Sequence, residues 1–495
     1  MAKLLYACAI IYAVSVAIIF PKWAVDDAYI SYRYADNLAN HGALTWNVGE
    51  DPVDGSTGLA WPVILAGFIR LGLSPQTVSH AIGVISFFIG GFMLWLIFRR
   101  LRLAPLAGAL TILLYSTLPQ LATHMYSGME TMLFLALLLV CIYALTAVYT
   151  ATSQYWVAAV CLLVSLLSIS LVRPEGVALS GLCLLAGAYH AYQRAGRTLF
   201  WRFCILAFAL YILPISLCLY WQMQYYGSYL PNTYHIKTVG SFTLAYVADF
   251  YRYLVRFFLP SIIIIFILVA LDTDSSWVKI KEQTVLSVVR KLWPVGVVII
   301  SFVLINIAQF TRSHLSVNFS YRYYMPLLSL VWILLAVVLD MGLFALRVSR
   351  QTQPKRYYVV CAFVCLLMMY QVAYNIKKLP EEIRFAREQI ELQGQEHNAI
   401  GKILKEKMPA NEWLAVYMDA GAIPYFSGLK TIDLGGLNDE TLAHNPGMLA
   451  KPNDYMYAYN PGAIVISSHS QDQLPTDDPA ISAIALDTRF KKYQL

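Results

Sequence analysis

Charge is scarce in this sequence. Asp, Glu, Lys and Arg make up 13% of its 495 residues, against 59% hydrophobic. A soluble domain is roughly one quarter charged, and too little charge is present here to coat a soluble chain of this size. That argues against a cytosolic enzyme, a disordered chain and a nucleic-acid binder. The eight cysteines all fall in apolar runs and none in 375–495, so neither a disulfide framework nor a CxxC metal site is present. No P-loop, GxSxG or HExxH occurs, which leaves ATP-driven and triad chemistry without support. His124, His235 and His314 lack ligand spacing, and there is no heptad run or internal repeat.

Long apolar runs are what the sequence has. A bilayer crossing takes roughly 20 apolar residues. Eleven runs qualify: 4–20, 77–98, 104–122, 128–148, 156–172, 175–193, 203–222, 256–271, 293–310, 325–345 and 357–374. Segment 58–72 is apolar but short, and reads as a half-helix on or dipping into the outer leaflet. The net charge of +7 is unevenly spread: 1–374 hold 24 Lys/Arg and 13 Asp/Glu, while 375–495 hold 12 and 16. Cations clustered at Arg99–Arg102, 194–202, 279–291 and 347–356 mark cytoplasmic loops. The N-terminus is then expected inside and the C-terminus outside. No small-residue cleavage site precedes Pro21, so the first run reads as an uncleaved span.

The expected division is a membrane domain, 1–374, and an extracytoplasmic tail, 375–495. In the tail, 381–408 reads as an amphipathic helix. Short apolar runs at 413–418 and 463–467 between turn residues read as strands of a small α/β domain.

The long polar loops 21–76, 223–255 and 311–324 fall on the outer side, where function is expected. Asp26 and Asp27 directly follow the first span. Adjacent carboxylates repel, so one can act as a base; helix capping is the alternative. Arg173 and Glu175 flank a Pro at a span end, as a site pair or a structural one. Asn232, Tyr234, His235 and Lys237 suit phosphate or sugar hydroxyls, or an interfacial belt. Tyr321 and Arg322 precede a span, and Arg322 suits phosphate recognition or cation–π stacking. Intramembrane charge is sparse, with Asp340 and His190 near span ends, which counts against a pump.

Several segments in chain order carry a resemblance. They are DDAYISYRYADNLANHGALTWNVGE and DGSTGLAWPVIL after the first span, SGMET at 127–131, RPEG at 173–176, LPNTYHIK at 230–237 and DAGAIPYFSGLKTIDLGGLND at 419–439. Together the chain resembles the membrane-embedded GT-C glycosyltransferases, and among them the AftB-type terminal arabinofuranosyltransferases of the mycobacterial cell wall and their bacterial relatives. The resemblance implies an α-helical polytopic membrane fold with about 11 spans in a bacterial cytoplasmic membrane. It implies an inverting enzyme that moves a sugar, arabinofuranose or another pentose, from a polyprenyl phosphate to an envelope glycan or protein acceptor. Asp26 would be the base and Asp27 its support. Chemistry rather than motif match adds Arg173, Glu175, Tyr234, His235, Lys237, Tyr321 and Arg322 on the donor side. It also adds Asp419, Asp433, Asn438 and Asp439 as acceptor contacts in the tail, with turn structure as their alternative. Some GT-C enzymes need a divalent metal; nothing in this sequence demands one. A lipid-linked-sugar flippase without transferase activity is the rival reading, and a non-catalytic scaffold is a third.

Overall fold

A computed structural model describes residues 1–151, 153–237, 244–270, 278–311, 318–352, 354–467 and 478–493. Asp272, Asp274 and His314 lie outside the described residues, as do the side chains of Lys237, 279–291 and 347–356. The chain opens with α1 (Ala2–Ile19), α2 (Asp26–His41), α3 (Ala60–Ile69), α4 (Pro75–Arg100), α5 (Pro105–Thr117), α6 (Pro119–Tyr126), α7 (Thr131–Thr150) and α8 (Tyr155–Val172). It continues with α9 (Glu175–Ala207), α10 (Leu213–Tyr226), α11 (Asn232–Lys237), α12 (Ala245–Ala270), α13 (Val278–Phe310), α14 (Met325–Thr352) and α15 (Pro354–Leu392).

Among the described residues, eight helices are long and apolar enough to cross a membrane, nine if one bent pair is a single span. The chain is a multi-pass membrane protein. The expected span 104–122 is that bent pair: α5 and α6 meet at 55°. Pro119 disfavours a helical Leu118 and lacks the N–H that would continue the helix, and Leu118 is extended, at φ −68° and ψ 114°. The expected spans 175–193 and 203–222 fall in one helical stretch, Glu175–Tyr226. That stretch breaks at Ala195 and Gly196, where Gly196 is left-handed. A Cβ on Gly187 would meet the ring of Phe203. In a straight helix those residues stand about 24 Å apart, so the chain reverses at the break and two spans result. Residues 256–270 lie in α12, whose apolar end has no counterpart among the eight.

The short α3 matches the expected half-helix. An apolar core runs through the bundle, with Leu94, Leu139, Leu163, Leu166, Leu328 and Trp332 fully buried in it. Asp340 caps α5, its Oδ1 accepting the Ala104 amide at 2.8 Å, so this sparse intramembrane carboxylate has a structural partner.

No break separates span and tail at 374, because α15 runs through to Leu392 and, past a π-helical turn, into α16 (Asn398–Lys407). The tail sheet has three parallel strands, β1 (Trp413–Tyr417), β2 (Lys430–Asp433) and β3 (Ala463–Ile466), in the order β2-β1-β3. Leu414 faces Thr431 on one side and Ala463 on the other. The central strand is buried on both faces, as parallel sheets require: Leu414, Ala415 and Val416 are inaccessible. Between β1 and β2 lies α17 (Ala422–Ser427), and α18 (Glu440–His444) follows β2.

Candidate functional site

The first loop is built around α2. Asp26 and Asp27 occupy its first turn, where the positive helix end favours carboxylates, and left-handed Gly42 closes it. Along this helix Ala28 to Ala35 are buried. Ile30 and Tyr34 pack with Leu44 and Trp46, joined by Leu38, the i, i+4 spacing placing the three on one face of the helix. Beside it Arg33 lies over the Trp46 ring, and its guanidinium donates to the carbonyls of Trp46 (2.9 Å), Pro424 (2.6 Å) and Leu429 (2.7 Å) and to Asn47 Oδ1 (2.9 Å). Arg33 thereby ties the first loop to the tail.

The two aspartates face different neighbours. The amides of Gly421 and Ala422 donate to Asp26 Oδ2 and Oδ1, both at 2.8 Å. His397 Nδ1 lies 3.3 Å from Oδ1, and His397 Nε2 lies 3.7 Å from Asp419 Oδ2. Burial lowers the His397 pKa, but the bond to Asp26 and the charges of Asp26, Asp419 and Glu396 outweigh it, so the net shift is upward. Burial raises the Asp419 carboxyl, against the pull of His397. Asp27 turns instead to Arg322, whose Nη1 is 3.8 Å from its Oδ2.

Arg322 is 4% exposed and sits over the rings of Phe319 and Tyr323. Among the described residues its Nε and Nη1 have no hydrogen-bond partner. It lines a small cavity with Thr57, Arg173, Glu175, Tyr234 and Gln309. Four of these, Thr57, Glu175, Tyr234 and Gln309, also line a cavity of about 880 Å³. That larger cavity has apolar walls at Leu171, Val177, Ala178, Ile215 and Leu219. The smaller cavity, which holds Arg322, thus shares part of its wall with the larger one.

Arg173 is committed elsewhere. It pairs with Glu130 and Glu175 at 2.8 Å each, all three buried. SGMET and RPEG, distant in sequence, therefore form one cluster. Another carboxylate, Asp54, lines the larger cavity, and its Oδ2 accepts from Gln222 at 3.0 Å. Asp54 is half-buried, and desolvation pushes its carboxyl up to about 7 against the hydrogen bonds from Gln222 and Ser56.

Of the residues expected on the donor side, Arg173, Glu175, Tyr234 and Arg322 come together here. Tyr321 does not line the cavity; its ring packs on Tyr253 at 4.5 Å. His235 packs against His444 of the tail, ring centroids 4.4 Å apart and the planes tilted by 53°. The expected acceptor residues are placed in turns and caps. Buried Asp433 accepts from the Gly435 amide and from Asn438 N and Nδ2, at 2.9–3.0 Å, and burial raises its carboxyl to about 6. Asn438 packs where a Cβ on Gly55 would stand. Asp439 caps α18 through the Leu442 amide and accepts from Tyr455. Asp419 also accepts from Ser467. Glu130, Asp54, Gln222, His397 and Glu382 have no role legible in the sequence; its only signals are the place of Glu130 in SGMET and of Asp54 at the head of DGSTGLAWPVIL. Among the described residues no group of three or more His, Cys, Asp or Glu side chains is placed to hold a metal ion.

Comparison with solved structures defines the fold class. The chain is similar to ArnT from Cupriavidus metallidurans bound to undecaprenyl phosphate, with 13% identity, a TM-score of 0.52 and coverage of 87% of this chain and 85% of that one. The apo form of ArnT matches with 14% identity, a TM-score of 0.50 and the same coverage. These neighbours are GT-C glycosyltransferases, and the fold of this chain is theirs. Residues 381–495 match a family described as a domain of unknown function, DUF8728. No curated protein matches the sequence.

Proposed function

We propose that the protein is an inverting glycosyltransferase that uses a polyprenyl-phosphate-linked sugar, and that its site faces the outer side of the membrane. The observation that carries this reading is Arg322: a buried guanidinium with two donor nitrogens that make no hydrogen bond among the described residues, lining a small cavity that shares wall residues with a larger, mostly apolar one. Buried donors left without hydrogen bonds are costly, and a phosphate oxyanion beside the Arg322–Asp27 pair is a complementary ligand. The apolar walls suit a prenyl chain, and a neighbour of the same fold binds undecaprenyl phosphate.

The roles of the paired aspartates follow from their partners. Both Asp26 oxygens already accept backbone amides of the tail, so this carboxylate is engaged in docking it. We therefore assign the base to Asp27 and the anchoring of the tail to Asp26, reversing the division expected from resemblance. Asp27 takes the acceptor hydroxyl proton. The acceptor oxygen attacks C1, the bond from C1 to the phosphate oxygen breaks, and the configuration at C1 inverts. The electron pair leaves on polyprenyl phosphate, whose charge Arg322 stabilises. The lipid phosphate is the leaving group, so no nucleotide is needed. Pentose, of the arabinofuranose type, is the proposed donor sugar, and an envelope glycan or protein the acceptor.

The test is transfer in lipid nanodiscs from synthetic polyprenyl-phospho-arabinofuranose to short arabinans, peptide and envelope glycan. Wild type is expected to transfer, and Asp27→Asn and Arg322→Met to fall at least a hundredfold. Transfer by both variants at the wild-type rate would remove this mechanism. Failure with arabinofuranosyl lipid but success with mannosyl or glucosyl lipid would replace the donor sugar alone.

A further inference from the structure

Arg322 reaches the cavity from an unusual stretch of backbone. Ser320 (φ 44°, ψ 35°) and Tyr321 (φ 59°, ψ 32°) are both left-handed, a region that L side chains avoid. Two such residues in succession persist only where the surroundings over-determine them. The surroundings here are specific. Glu382 Oε2 accepts from Ser320 Oγ at 2.7 Å and from Thr123 Oγ1 at 2.6 Å. Gln120 Nε2 lies 3.5 Å from Oε1. His124 Nε2 is 3.0 Å from the Ser320 carbonyl, and the Tyr321 ring is held on Tyr253. Beyond the turn, the Tyr323 amide donates to Asn318 Oδ1 at 2.9 Å.

Glu382 stands on the extension of α15 that leads into the tail, while Thr123 and Gln120 come from α6, after the bend at Pro119. One carboxylate thus joins three parts of the chain behind the strained turn, and Arg322 is two residues from the serine it grips. We propose that Glu382 is a positioning residue: by holding the left-handed Ser320–Tyr321 turn against α6, it keeps the Arg322 guanidinium in the cavity. This rests on the reading of Arg322 as the phosphate site.

The probe is undecaprenyl phosphate without sugar, titrated into full-length protein in nanodiscs, with binding read by native mass spectrometry. Glu382→Ala is expected to weaken binding about tenfold, equivalent to about 1.4 kcal/mol. Glu382→Gln, which keeps an acceptor oxygen for the two hydroxyls, is expected to weaken it less, and serves if the alanine variant does not fold. Glycine adopts the left-handed region freely, so Ser320→Gly in the Glu382→Ala background should recover binding to within about threefold of wild type. A merely structural glutamate would give no such rescue. If Arg322→Met loses binding while both Glu382 variants bind as wild type, the positioning role is overturned and the phosphate site stands. If Arg322→Met also binds as wild type, the phosphate site itself falls.

Discussion

Asp26→Asn separates the two aspartates most sharply. The carboxylate accepts the Gly421 and Ala422 amides at 2.8 Å and sits 3.3 Å from His397. Asparagine keeps one acceptor oxygen and turns an N–H₂ toward the other amide. One charge-assisted bond is lost, worth about 1.5–3 kcal/mol, together with the attraction for His397. A loosening of about 2–3 kcal/mol shifts the docking of the tail on the first loop roughly 30- to 150-fold. Hydrogen exchange of the amides over 413–433, read by mass spectrometry, measures this directly. Exchange at 421–427 should accelerate in Asp26→Asn and stay at wild type in Asp27→Asn, while transfer activity should be lost in Asp27→Asn. Wild-type protection in Asp26→Asn would refute the anchoring argument. Wild-type turnover in Asp27→Asn would return the base to Asp26 or to neither.

The same docking should respond to a backbone change. A Cβ on Gly421 would overlap the Asp26 carbonyl and crowd its carboxylate, so Gly421→Ala should reproduce the exchange pattern of Asp26→Asn. His397 supplies a pH dependence. Its folded pKa is raised, so its contribution to docking is complete below the ordinary value of about 6.5 and is lost as pH rises through the raised value; His397→Asn should flatten the exchange-against-pH curve above pH 6.5. Arg173→Met leaves Glu130 and Glu175 buried without their cation, and should cost about 3–5 kcal/mol, seen as a lowered thermal midpoint in detergent. Gly128 is left-handed, and a Cβ there would press on Ala28 of α2; Gly128→Ala should lower the midpoint by displacing α2 from the bundle, and an unchanged midpoint would contradict that packing.

Much of this protein was legible as sequence because the signals are local. A bilayer demands long apolar helices, so the spans, the short α3 and the cation clusters are written in consecutive residues. The strands WLAVY and AIVI declare themselves by runs of apolar residues between turns. Proline at 119 bends what composition alone presents as one span, and glycine at 196 lets the chain turn back, so helix counts differ where a single residue's backbone decides. The first loop and its Asp pair were also visible, together with Arg322.

The partners of these residues were not visible. Asp26 meets His397 across 371 residues of chain and Gly421 across 395. Arg322 is distinguished from Arg173 only by what surrounds each: two buried carboxylates neutralise one, and two nitrogens of the other remain unfilled beside a cavity. Asp433, Asn438 and Asp439 carry the residue types of a sugar site, yet their hydrogen bonds go to their own turns and caps and, for Asp439, to Tyr455. Composition and periodicity report how each segment meets water or lipid. Which charge pairs with which depends on the distances between segments once they are packed, and that information exists only in the folded chain.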